Sequence, residues 1–181
     1  APYLGLFSGK MALVDAHIDD AVAWPGRLRT TLRWQATARP RPDYRAVVAL
    51  RDEDGHTWAL AEEFVRNEVA FPTSAWQGQA WSDATYHLNV PPGVPPGDYR
   101  VEISLYDSST GAREGAVAPG GEFLGTRVHG GAVRVERPRT SPDVADLDPS
   151  LRIDASVGPL TLLGADPPVA GAASGDHVSF S

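Results

Sequence analysis

The chain has 181 residues, 42% of them apolar, and its 23 acidic against 16 basic side chains give a formal net charge of −7. The length predicts one domain with an appendage. The apolar share excludes wholesale disorder, and the negative charge argues against a nucleic-acid partner, which meets a basic stripe. There is no cysteine, hence no disulfide, thiol chemistry or thiolate zinc site, although that absence does not fix the compartment. No apolar run approaches the roughly 18–20 residues of a membrane helix, so no direct membrane insertion by these residues is expected. The 18 glycines and 16 prolines stand well above their usual combined share of about 12% and favour turns and short strands.

Period-2 alternation between turn signals carries the fold prediction. After Pro25-Gly26, the run Arg27 to Trp34 places Leu28, Thr30, Leu32 and Trp34 on one face and three arginines with Thr31 on the other. Such a pattern suits a half-buried antiparallel strand. Tyr44 to Arg51 follows with Ala46, Val48 and Leu50 on one side, and Asp54-Gly55 predicts a hairpin turn into Thr57-Trp58-Ala59-Leu60. Trp81 to Val90 alternates with Ala84, Tyr86, Leu88 and Val90 in register. The four prolines of Pro91–Asp98 exclude regular structure there. The cleanest strand follows: Tyr99, Val101, Ile103 and Leu105 face in, and Arg100, Glu102 and Ser104 face water. Gly115–Gly121 reads as a loop, with short strands around Phe123–Val128 and Ala132–Glu136. No twelve-residue stretch has a 3.6 period. The expected fold is therefore all-β, an antiparallel immunoglobulin-like β-sandwich of about seven strands over residues 1–136.

Residues 137–150 have the composition of a linker, with prolines and aspartates and little to bury. Beyond them the sequence resembles its own start. A shift of 149 positions aligns Gly9 with Gly158, Leu13 with Leu162, Ala16 with Ala165, Ala21 with Ala170, Ala23 with Ala172 and Gly26 with Gly175. Residues 151–181 thus read as the opening strands of a truncated second repeat, with His177–Ser181 matching Leu28–Leu32. Two strands cannot close a sandwich, so this segment is expected to pack on the first sandwich, or else to pair with its counterpart in a strand-exchanged dimer. A monomer is favoured because an intramolecular contact avoids the entropy of association.

Candidate chemistry is sparse. Asp52-Glu53-Asp54-Gly55 begins like a calcium loop, but the alternating ligands stop after Gly55 and a plain turn is the better reading. His17, His56, His87, His129 and His177 are scattered without metal-ligand spacing, so neither metal nor cofactor is expected. No Gly-x-Ser-x-Gly elbow occurs; Ser74 and Ser104 are isolated, and adjacent Glu62 and Glu63 point to opposite faces of a strand. No catalytic residue is assigned. The tryptophans offer more: Trp24, Trp76 and Trp81 lie in or beside loops where an exposed indole can stack on a sugar ring, whereas Trp34 and Trp58 fall on strands and are expected in the core.

A set of structural motifs completes the reading. Trp58 follows Asp54-Gly55; Phe71-Pro72-Thr73-Ser74-Ala75-Trp76-Gln77-Gly78 comes next, then Asp83 before a strand, Pro96-Gly97-Asp98-Tyr99, Leu105-Tyr106-Asp107 and Thr110-Gly111-Ala112-Arg113. This order resembles an extracytoplasmic tandem β-sandwich domain of bacterial polytopic membrane proteins, many described as family 39 (dolichyl-phosphate-mannose-type) glycosyltransferases. The resemblance covers roughly residues 8–136, with 157–181 opening another copy. It departs from the pattern in the Gly115–Gly121 loop and at Asp15, where a glycine is common. It implies an extracytoplasmic location, tethered through a membrane-spanning parent. The family's transferase chemistry belongs to a membrane-embedded part, so no catalytic residue carries over. The leading expectation is a non-catalytic accessory or interaction domain, its partner a cell-envelope glycan or another domain of the same chain. The alternative is a carbohydrate-binding module using exposed tryptophans, and the weakest is a hydrolase with a dispersed active site.

Overall fold

A computed structural model describes residues 3–67, 69–140, 151–158 and 160–165. The chain divides into two units, Ala1–Pro138 and Arg139–Ser181.

The first unit holds β1 (Gly5–Phe7), β2 (Met11–Ile18), β3 (Ala21–Ala23), β4 (Gly26–Ala36), β5 (Tyr44–Arg51), β6 (Thr57–Phe64), β7 (Trp81–Val90), β8 (Gly97–Asp107), β9 (Ala116–Val117), β10 (Phe123–Gly125) and β11 (Val128–Glu136). They form a six-stranded sheet in the order β10-β9-β1-β2-β4-β7 and a five-stranded sheet in the order β3-β11-β8-β5-β6. Neighbours are antiparallel except β3, which runs parallel to β11. The inward side chains of both sheets merge into one core. From β4 come Leu28, Leu32 and Trp34, from β5 Ala46, Val48 and Leu50, from β7 Tyr86, Leu88 and Val90, and from β8 Tyr99, Val101, Ile103 and Leu105. These are the positions that the alternation predicts, because period 2 sends every second side chain to the same face. The chain is an all-β sandwich.

Three details differ from expectation. The described part of this unit has eleven strands rather than about seven. The extra ones are segments of two and three residues, among them β9 inside the predicted Gly115–Gly121 loop, too short to show a period. Ser104 does stand on the outer face, opposite Val47, yet is only 6% exposed. Its side chain is short, and β8 lies inside the sheet with β11 on one side and β5 on the other. The hairpin between β5 and β6 is wider than a two-residue turn, since Arg51 pairs with Thr57. Asp52 closes it: its backbone oxygen accepts from Gly55 N–H, its Oδ1 from His56 N–H and its Oδ2 from Trp58 Nε1 at 2.8 Å. Those bonds, the indole's above all, hold its carboxyl below the ordinary range.

In the second unit, β12 (Leu151–Val157) and β13 (Leu160–Ala165) make an antiparallel hairpin. β13 begins 149 residues after β2, and Gly9 and Gly158, related by the same offset, both take left-handed φ, +68° and +62°. The predicted strand at His177–Ser181 and most of the linker lie outside the described residues.

Candidate functional site

Along β4, Arg27, Arg29, Thr31, Arg33 and Gln35 alternate with the core residues and therefore point away from the core. Register with β7 sets them beside Asn89, His87, Thr85, Asp83 and Trp81 respectively. On the other flank, β2 brings Asp15 opposite Arg33 and His17 opposite Thr31. The register of β2 shifts between Leu13 and Asp15, which makes Val14 the extra residue of a β-bulge. Leu13 stays buried, while Val14 joins Arg33, Gln35 and Trp81 around an open hollow. Bulges re-aim side chains in this way. A second hollow is lined by Asp15, His17, Arg29, Thr31, Arg33 and Asp83. Arg33 borders both.

The polar groups of this face are held in place. Arg33 Nε donates to Asp83 Oδ1 and Nη2 to Asp83 Oδ2, both at 2.8 Å, a two-pronged pairing that fixes the guanidinium plane. That pairing lowers the Asp83 carboxyl below its ordinary value and raises the guanidinium. The Arg33 guanidinium also lies 5.8 Å from the centroid of the Trp81 ring, within cation–π range. Thr31 and Thr85 share a hydroxyl hydrogen bond of 3.1 Å, and Gln35 Nε2 donates to Gln79 Oε1 at 3.2 Å. Arg29 approaches Asp19 at 3.6 Å. Exposed ion pairs contribute little to stability, because water screens the attraction and ordering two long side chains costs entropy. What the pairing supplies is a preset direction for donors and acceptors.

Of the three tryptophans proposed for stacking, the structure keeps one on the surface. Trp81 is 49% exposed at the head of β7. Trp76 is 2% exposed, and its Nε1 donates to the Phe71 carbonyl; the short 3-10 turn Thr73–Ala75 turns it into the core, so it cannot present a face to a ligand. Trp24 is half-buried against the core at the Gly26–Val90 end of the β4–β7 ladder. Trp81 lies at the opposite end, about 30 Å away at roughly 3.3 Å per residue. Trp34 is fully buried, and Trp58 is half-buried and tied to Asp52. Among the described residues no three His, Asp or Glu side chains gather as a metal site. Glu62 pairs with Arg45 at 2.9 Å. Sequence reasoning missed Arg33, Asp83, Gln35 and Val14 as one group. The outward alternation of β4 signals the arginines, but only the strand register and the bulge bring the partners together.

No protein-family model matches the chain, and no curated protein matches it significantly. Among solved structures it is similar to the C-terminal domain of wzt, with 10% identity and a TM-score of 0.49 over 74% of this chain and 78% of that one. It is also similar to a CARDB domain from Pyrococcus furiosus, in complex with di-metal ions, with 9% identity and a TM-score of 0.39 over 70% and 86%. A third is a Niemann-Pick type C2 protein from Japanese carpenter ant, with 8% identity and a TM-score of 0.40 over 75% and 96%. None of these likenesses assigns a residue or a ligand to this chain.

Proposed function

We propose that the sandwich is a non-catalytic binding module, carried outside the membrane by a membrane-spanning, glycosyltransferase-like parent, and that its outer β2-β4-β7 face binds glycan. One observation carries the reading: a half-exposed indole, Trp81, stands at an open hollow beside the Arg33–Asp83 pair and the Gln35 amide. A pyranose offers an apolar face to an indole and a rim of hydroxyls to fixed donors and acceptors, and this arrangement supplies both. The test is a glycan array probed with the intact chain and with Trp81→Ala. Binding by the first and not by the second supports the reading; equal signals from both oppose it.

A protein-docking module is the second reading, favoured by Leu60, Phe64, Val69 and Phe71, all exposed within one short segment. Loss of the parent's function in Phe71→Ser, with Trp81→Ala unaffected, would favour it.

A further inference from the structure

We infer that the ligand of the β2-β4-β7 face is an uncharged oligosaccharide lying along β4, held at two adjoining subsites that share the Arg33 guanidinium. This rests on the glycan reading above and adds the ligand's charge class and length.

The two hollows differ in chemistry. The first combines the Trp81 indole with the Gln35 amide and the Val14 methyls, which suits one ring stacked flat with a hydroxyl reaching the amide. The second has no tryptophan; Thr31, His17, Asp15 and Arg29 line it. It suits a ring held by its hydroxyl rim alone. Because Arg33 borders both hollows, a chain can pass from one to the other over the Arg33–Asp83 pair without leaving the face.

Length follows from the strand. From the Gln35–Trp81 pair to the Arg29–His87 pair is six residues of β4, about 20 Å at roughly 3.3 Å per residue. A single sugar ring is far shorter than that. Charge follows from the lining. Arg33 faces Asp83 and Asp15, and Arg29 faces Asp19, so each cation is already answered by a carboxylate. A phosphate or a uronic acid on this face would bring its negative charge against Asp83 and Asp15. Hydroxyls can accept from the remaining guanidinium N–H groups and donate to carboxylate lone pairs without breaking the pair.

The experiment is calorimetric titration of the intact chain with two series, each from monosaccharide to hexasaccharide: neutral gluco-, manno- and N-acetylglucosamine oligomers, and acidic oligogalacturonates. Affinity for at least one neutral series should rise with length by about tenfold or more, equivalent to roughly 1.4 kcal/mol, before levelling off. It should change little between low and high salt, because no net charge is matched. In His17→Ala the gain with length should shrink, and in Trp81→Ala binding should fall at least about tenfold at every length, with circular dichroism confirming both folds. Binding that does not grow with length overturns the two-subsite inference. Tighter binding of the acidic series, weakened by salt, overturns the charge class and leaves the glycan reading standing. Binding of neither series overturns the glycan reading itself.

Discussion

Arg33 on β4 grips Asp83 on β7 through two hydrogen bonds of 2.8 Å, both in the open on the outer face of the six-stranded sheet. The pair joins the two hollows and backs the Trp81 ring. Because it is exposed, its loss should matter to a ligand more than to the fold. In Asp83→Asn one carbonyl oxygen still accepts but the charge is gone and the guanidinium is free to swing. The unfolding midpoint should stay close to wild type while glycan affinity falls. A large drop in the midpoint would instead make the pair a structural fixture.

The same pair sets a pH dependence. Asp83 is more acidic in the folded chain than its ordinary value of 3.8, chiefly through the hydrogen bonds from Arg33. A carboxyl acidified by folding contributes stability that is complete above its unfolded value and is lost as pH falls through the lower folded one. The Asp83 contribution to stability should therefore be constant across neutral pH and fade only in the acid range below about 4. Following the Asp83 carboxyl carbon by NMR during an acid titration checks this directly. A midpoint above the ordinary carboxylate value would contradict the pairing.

Trp76 and Trp81 are five positions apart and should behave oppositely. Trp76 is buried and hydrogen-bonded to Phe71, so Trp76→Ala should cost about 3–5 kcal/mol, as removal of a large core aromatic does. Trp81→Ala should lie within about 0.5 kcal/mol of wild type, as surface changes do. Denaturant unfolding of the two variants side by side decides the assignment.

Two positions on β8 and β11 test the packing between them. Ile103 is fully buried, and Ile103→Ala should cost about 2–5 kcal/mol. On the neighbouring β11, a Cβ added at Gly130 would clash with Ile103 Cδ1, so Gly130→Ala should destabilise by about 1–3 kcal/mol through overpacking. The double variant Gly130→Ala/Ile103→Ala should lose less than the sum, because truncating Ile103 vacates the space that the new methyl needs. Strict additivity in chemical denaturation would mean that the two side chains do not compete.

The core was legible in the sequence because strand periodicity survives without knowledge of partners. Leu28, Leu32 and Trp34 on β4, and Tyr99, Val101, Ile103 and Leu105 on β8, are read off by alternation alone. The short strand β9 was not, since two residues carry no period, whereas β10 falls within the strand expected around Phe123–Val128. The candidate face was half legible. Alternation turns Arg33 outward and Trp81 stands at a strand end, but that Asp83 lies opposite Arg33 is a matter of register between strands fifty residues apart. That Val14 joins them depends on a bulge with no mark in the local residues. Trp76 misled for the converse reason: Pro72 and Gly78 bracket it as a loop, and a loop residue can still fold into the core when its indole N–H finds a carbonyl.

The most direct measurement is an NMR titration of the isotope-labelled intact chain with the tightest-binding neutral oligosaccharide, following backbone amides and the five indole N–H signals. The Trp81 indole and amides around Arg33, Gln35, Thr31 and Asp15 should shift together and saturate together, with Trp58 and the outer face of β5 and β8 unmoved. Shifts centred on the five-stranded sheet, or a silent Trp81 at saturation, would contradict the account.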